Sequence, residues 1–261
     1  MIRTQEFARD HSTEMTLEVL ERLALASEFR DDVTAAHNSR IGQYSAIVAA
    51  ELGLDREHQE ILRFAASLHD IGKVAIPDKI LQKPGPLTPE ERTLMQRHVL
   101  YGADLLLGGR HPIMTAAYNI ALTHHESWNG RGYPNGLSGP QIPLCGRIVA
   151  LCDTFDALIS ERPYKEAWTV DDAVVEILRL SGKRFDPVVV NAFYRALPKI
   201  KELERQPLPK KAIRESVCYL PLDPIAHLDP ANWYPEPVQH AQAENEAALS
   251  KLLLTQSEVT A

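Results

Sequence analysis

No stretch of this chain alternates apolar and polar residues over the length of a strand, so a β-sheet has little sequence to be built from. No apolar run approaches the roughly 20 residues that a membrane-spanning helix needs. The opening residues, MIRTQEFARDHSTEM, hold no apolar core of a signal peptide, and a cytoplasmic protein away from the membrane is expected. Cys145, Cys152 and Cys218 form no CxxC pair. Cys145 and Cys152 lie seven apart in an apolar segment, so buried free thiols in a reducing compartment are expected there. Positive charge is in deficit, with 28 Lys and Arg against 35 Asp and Glu and a net charge of -7. That balance argues against a broad DNA-binding surface but not against a small anionic ligand, which local positive charge or a metal can recruit.

Helical periodicity dominates what remains. Amphipathic helices are expected over 13–36, from about His37 to Glu51, over 57–70 (EHQEILRFAASLHD), and from Pro89 to about Leu107. The fourth has a clear start: Thr88 caps, Pro89 takes the first helical position, and Glu91 completes a capping box. Pro112 opens a fifth helix that ends near His125. A Gly/Pro-rich loop follows from about Ser127 to Pro143, then a helix over roughly 144–160, and Thr169 and Asp186-Pro187 open two more. Eight of the 18 prolines fall between Pro198 and Pro237, so regular helix is expected to stop at 198. The expected domains are 1–36, an N-terminal helix or connector packing on the core; 37–197, the main domain; and 198–261, a proline-rich tail ending in a short helix over 241–254.

Five of the ten histidines share a context of helix and small or apolar neighbours: His37, His69, His98, His124 and His125. Burying that many polar rings without partners would cost a few kcal/mol each, about 1–3 on mutational scales, and metal ions are the simplest common partner. His69-Asp70 carries the most chemistry, because a carboxylate has two oxygens and can bridge two metals. Imidazole with carboxylate suits Fe, Mn, Zn, Co or Ni better than Ca or Mg. Asp153 and Asp156 stand in the apolar run RIVALCDTFDAL, an unusual setting for carboxylates. Lys73 follows Asp70 by three; it either binds a substrate phosphate or favours a helix C-terminus.

HDIGK (69–73), HVLYGADLL (98–106), HHESWNGRGYP (124–134) and RIVALCDTFDALISERPYK (147–165), in this order, resemble the HD-GYP branch of the HD superfamily of metal-dependent phosphohydrolases, bacterial phosphodiesterases of cyclic di-GMP. The resemblance covers about residues 13–197. It implies an all-α HD-domain helical bundle with a metal centre among its helices. Matched position by position, His37, His69, Asp70 and Asp153 would hold one divalent metal, and Asp70 would bridge to a second held by His98, His124 and His125. Fe or Mn is expected ahead of Ni, Co, Mg or Zn. Asp70 and Lys73 carry the catalytic expectation, a metal-bound hydroxide attacking phosphorus to give pGpG, GMP or both. Lys73, Tyr133, Arg162 and Lys165 match substrate-binding positions. Glu126, Gly132, Pro134 and Asp156 are expected to support the ligands or shape the loop.

Two positions depart from the family pattern. Some members carry a glutamate four residues before the first ligand histidine, where it supports a third metal; here Val33 stands there, and a dinuclear site is expected. Asn129 replaces a common aspartate, and supports a turn equally well. Two other functions compete: a non-catalytic module docking a diguanylate cyclase domain through the GYP loop, and an HD hydrolase of another nucleotide, cyclic GMP-AMP included. The N-terminal helix, with Leu17, Leu20, Leu23 and Leu25, either completes the core or forms a homodimer seam. The chain is expected to be a stand-alone enzyme or the output part of a longer protein.

Overall fold

The computed structural model describes residues 19–20, 22–24, 36–161, 166–205 and 241–259. Every regular element among them is a helix, apart from two isolated β-bridges. In chain order these are α1 (Ala36–Glu51), α2 (Arg56–Ala66), a 3-10 turn (Ile71–Ala75), α3 (Asp78–Leu81), α4 (Pro89–Gln96) and α5 (His98–Leu106). Then come α6 (Pro112–Thr123), a 3-10 turn (Gly139–Gln141), α7 (Leu144–Ile159), α8 (Val170–Arg179), α9 (Pro187–Arg205) and α10 (Ala241–Val259). The all-α expectation holds. Among the described residues no helix is long and apolar enough to cross a membrane.

The starts of these helices follow local chemistry. Thr88 and Glu91 form the expected capping box. Asp55 caps α2 through the His58 N–H, and Thr169 caps α8 through Asp172. The ends are less local. The expected helix over 57–70 stops at Ala66, and the chain tightens into i→i+3 bonds such as His69 N–H to Ala66 C=O (3.2 Å). His69 and Asp70 thus lie beyond the helix, at the mouth of the 3-10 turn. The single helix expected from Pro89 to Leu107 is two, with a joint at Arg97. The α5 axis is set by contact with the 3-10 turn: a Cβ on Gly72 would sit 1.9 Å from the His98 carbonyl oxygen and 2.3 Å from the Gly102 nitrogen.

α1 packs on α2, α7 and α9, and α6 lies between α5, α2 and α7. At the centre Phe155 meets Tyr44 and Phe193 edge-on, at ring separations of 5.6 and 5.0 Å. Each such ring removed from water contributes roughly 1.5–3 kcal/mol. Cys145 and Cys152 are buried free thiols, as expected. Leu20 and Ala24 of the N-terminal segment join the core while Val19 and Leu23 face solvent; Leu17 and Leu25 lie outside the described residues.

The helix stop expected at 198 is absent. α9 continues through Pro198 to Arg205, because Leu197 and Ile200 are buried beneath it and Pro198 itself faces outward. The proline costs one helical hydrogen bond, and packing outweighs it. Near the end of α9 the Glu204 carboxylate accepts a hydrogen bond from the buried Tyr44 hydroxyl. α10, longer than the expected 241–254, packs on α8 and α9.

Candidate metal centre

Five separate parts of the chain meet at Asp70. His37 comes from the first turn of α1, His69 and Asp70 from the 3-10 mouth, His98 from the first residue of α5, His124 and His125 from the end of α6, and Asp153 from α7. His69 Nε2 lies 3.2 Å from one Asp70 oxygen; His98 Nε2 and His124 Nε2 lie 3.3 and 3.7 Å from the other. Asp153 Oδ1 stands 3.6 Å from His37 Nε2 and 3.9 Å from His69 Nε2. Two groups emerge with ligand spacing, His37–His69–Asp70 and Asp70–His98–His124–His125, and Asp70 belongs to both.

The donor chemistry fits divalent cations. The Nδ1–H groups of His69, His98 and His124 donate to the carbonyls of Ala66, Met95 and Ile120 at 2.9, 2.8 and 2.9 Å. His37 Nδ1 is 2.6 Å from the buried Asp156 carboxylate. Each bond fixes a tautomer with the Nε2 lone pair turned inward, the arrangement that orients metal-ligating imidazoles. Facing lone pairs repel: His98 Nε2 and His124 Nε2 are only 3.5 Å apart. His69 Nε2 and Asp70 Oδ1 are buried without a hydrogen-bond partner. A cation in each group would satisfy all of these atoms together.

Electrostatics point the same way. Burial opposes ionisation of Asp70, but Lys73 and then His69 outweigh it and hold this carboxyl well below the usual range. Burial pushes His98 down to about 4, and pushes His125 well below its ordinary value, so both present neutral rings. His69 goes the other way: burial alone would lower it, yet the Asp70 charge raises it to about 9. Without metal, a proton on His69 takes the place of a cation beside Asp70.

The loop after His125 is built around its own backbone. The buried Glu126 carboxylate accepts the N–H groups of Asn135 (2.8 Å) and Leu137 (3.1 Å), so it closes the loop and does not orient an imidazole. Gly132 lies over the 126–127 backbone, where a Cβ would come within 2.3 Å of the Ser127 nitrogen. Tyr133, joined to Pro134 by a cis peptide, donates its N–H to the His125 carbonyl and stacks on the His125 ring at 4.8 Å. One face of this tyrosine is thus taken by a candidate ligand.

Of the remaining expected residues, Lys73 Nζ sits 2.7 Å from Asp70 Oδ2. Asp156 turns away from the centre, towards His37. Arg162, Lys165 and Val33 lie outside the described residues. Sequence reasoning missed Arg40. Its guanidinium grips both Asp156 oxygens, one at 2.9 Å, and reaches Ser160 Oγ at 2.9 Å. The available signal was spacing: Arg40 follows His37 by three, on one helix face.

Comparison with known proteins agrees with this geometry. Residues 18–189 match the HD domain family. A cyclic di-GMP phosphodiesterase of Thermotoga maritima is 45% identical over 202 residues, 77% of this chain and 55% of that protein. The cyclic di-GMP phosphodiesterase response regulator RpfG of Xanthomonas campestris is 47% identical over 186 residues, 71% of this chain and 49% of its own. The chain spans about half the length of these curated relatives. The crystal structure of a cyclic GMP-AMP specific phosphodiesterase from Vibrio cholerae superposes with a TM-score of 0.57 at 21% identity, covering 90% of this chain and 60% of that one, and shares the fold. The resemblance read from HDIGK and HHESWNGRGYP holds, and the chain belongs to the HD domain family.

Proposed function

We propose that this chain is a metal-dependent phosphodiesterase that hydrolyses cyclic di-GMP to pGpG, GMP or both, and so lowers a bacterial second messenger in the cytoplasm. The single observation that carries the reading is the Asp70 carboxylate shared between two ligand groups. His37, His69, Asp70 and Asp153 would hold one divalent cation, and Asp70, His98, His124 and His125 a second, with Fe or Mn ahead of Ni, Co, Mg or Zn. Bound there, the cations supply Lewis-acid neutralisation of charge at phosphorus and acidify water.

The chain's own residues do the rest. Lys73, beside Asp70, offers an ammonium to a phosphate oxygen as charge builds on it. Tyr133 would meet the substrate with the ring face not stacked on His125, and Arg162 and Lys165 would grip the phosphates, Arg as a two-pronged donor and Lys as a point charge. The cation-rich contacts offset the net charge of -7. Arg131, Asn135 and Gly136 expose the tip of the GYP loop, the surface a diguanylate cyclase domain would meet.

The test is product analysis with Mn- or Fe-loaded protein offered cyclic di-GMP and cyclic GMP-AMP separately. Cyclic di-GMP should be consumed in preference, and Asp70→Ala should lower turnover by at least about 10³-fold while emptying both metal positions. Turnover by Asp70→Ala near the parent rate, or metal content unchanged in it, would sink the assignment.

A further inference from the structure

α10 lies beyond residues 18–189, which match the HD domain family, yet it carries a buried asparagine. Asn245 is 1% exposed, in a helix whose Ala241 is buried and whose Ala248, Leu249 and Leu252 pack against the core. A buried amide in such a face is costly unless it is bonded. Asn245 Nδ2 donates to Ser181 Oγ (3.1 Å) and to the Pro187 carbonyl (2.8 Å). These are the two ends of one turn, 181–187.

That turn is what the GYP loop hangs from. The Trp128 N–H donates to the Arg184 carbonyl (3.0 Å), and the Asn129 N–H to the Lys183 carbonyl (2.9 Å). Asp186 pairs with the buried Arg147, whose guanidinium lies 5.8 Å from the Trp128 ring centroid and whose Nε–H donates to the Ile142 carbonyl (2.8 Å). The same loop returns to the site through Glu126 and through Tyr133 stacked on His125. We infer that Asn245 is a positioning residue: by clamping both ends of the 181–187 turn, the C-terminal helix holds the 126–138 loop, and with it Tyr133 and His125, in register with the metal centre.

The experiment is hydrogen–deuterium exchange on the full metal-loaded chain, comparing the parent with Asn245→Leu, which keeps the branched shape and loses the donor. Exchange over 126–138 and 181–187 should quicken by about tenfold, the effect of two lost neutral bonds. Circular dichroism and metal at the His37–His69 group should be retained. KM for the cyclic dinucleotide should rise more than kcat falls. That last measurement rests on the phosphodiesterase reading; the exchange measurement does not, so a protein with no turnover still decides the inference. Faster exchange confined to α8–α10, with 126–138 still protected, would overturn it. Should Asn245→Leu fail to fold, Ser181→Ala removes the acceptor at one end of the clamp: quickening at 126–138 supports the inference, and parent-like exchange there refutes it.

Discussion

An imidazole whose Nδ1–H is tied to a carbonyl three or four residues back can offer only Nε2 outward. His69, His98 and His124 are all built so, each bonded to a carbonyl three or four residues earlier in the chain. The histidines outside the five behave differently where they are described: His58 binds Asp55 at a helix start and His111 caps α6. Context in the sequence picked out the five histidines that the structure brings together, because an apolar neighbourhood favours burial. It could not show which nitrogen faces which partner. Two expectations belong at this scale. The raised pKa of His69 keeps a proton on it through neutral pH, released only as pH climbs towards about 9. Cation binding must displace that proton, so apparent metal affinity should rise about tenfold per pH unit from roughly pH 7 to 9. Calorimetric titration of metal-free protein reads this, and a flat profile would refute it. Arg40→Met leaves the fully buried Asp156 carboxylate without its guanidinium. A loss of about 3–5 kcal/mol is expected by urea denaturation, since a buried charge is left uncompensated.

Among the elements, glycines govern how closely two segments approach. Gly72 and Gly102 let the 3-10 turn touch α5, which sets Asp70 beside His98. Gly72→Ala must push α5 outward; about 1–3 kcal/mol of stability should be lost. Metal at the His98 group should fall while the His37 group keeps its own. Metal analysis decides it, and equal loss at both groups would show general misfolding. Helix starts were legible in the sequence through Thr88, Asp55 and Thr169, whose caps are local hydrogen bonds. Some helix ends were legible too, such as Glu51 and Ile159, and others were not. Ala66, Arg97 and Pro198 show why: the first two stop helices where partner segments require a change of direction, and the third fails to stop one whose inner face is already buried.

Across the whole molecule the cluster joins segments from His37 to Asp153, so folding and metal binding are linked. Cations at about 100 times their Kd add roughly 2.7 kcal/mol per site, and each kcal/mol moves the melting temperature of a domain this size by about 2–4 °C. Chelation should therefore lower Tm by roughly 5–10 °C per site emptied, followed by differential scanning fluorimetry. An unchanged Tm in protein shown to be metal-free would mean the centre adds nothing to the fold. Sequence alone determined the helical class and marked the histidines and carboxylates of the candidate site, because 3.6-residue periodicity and ligand chemistry are written in neighbouring residues. Only the tertiary structure decided that Asp70 is shared by two groups, that Glu126 serves the loop, that Arg40 braces His37 through Asp156, and that the last helix folds back against the 181–187 turn. Those facts depend on which distant surfaces pack together, and no local pattern in the chain records that choice.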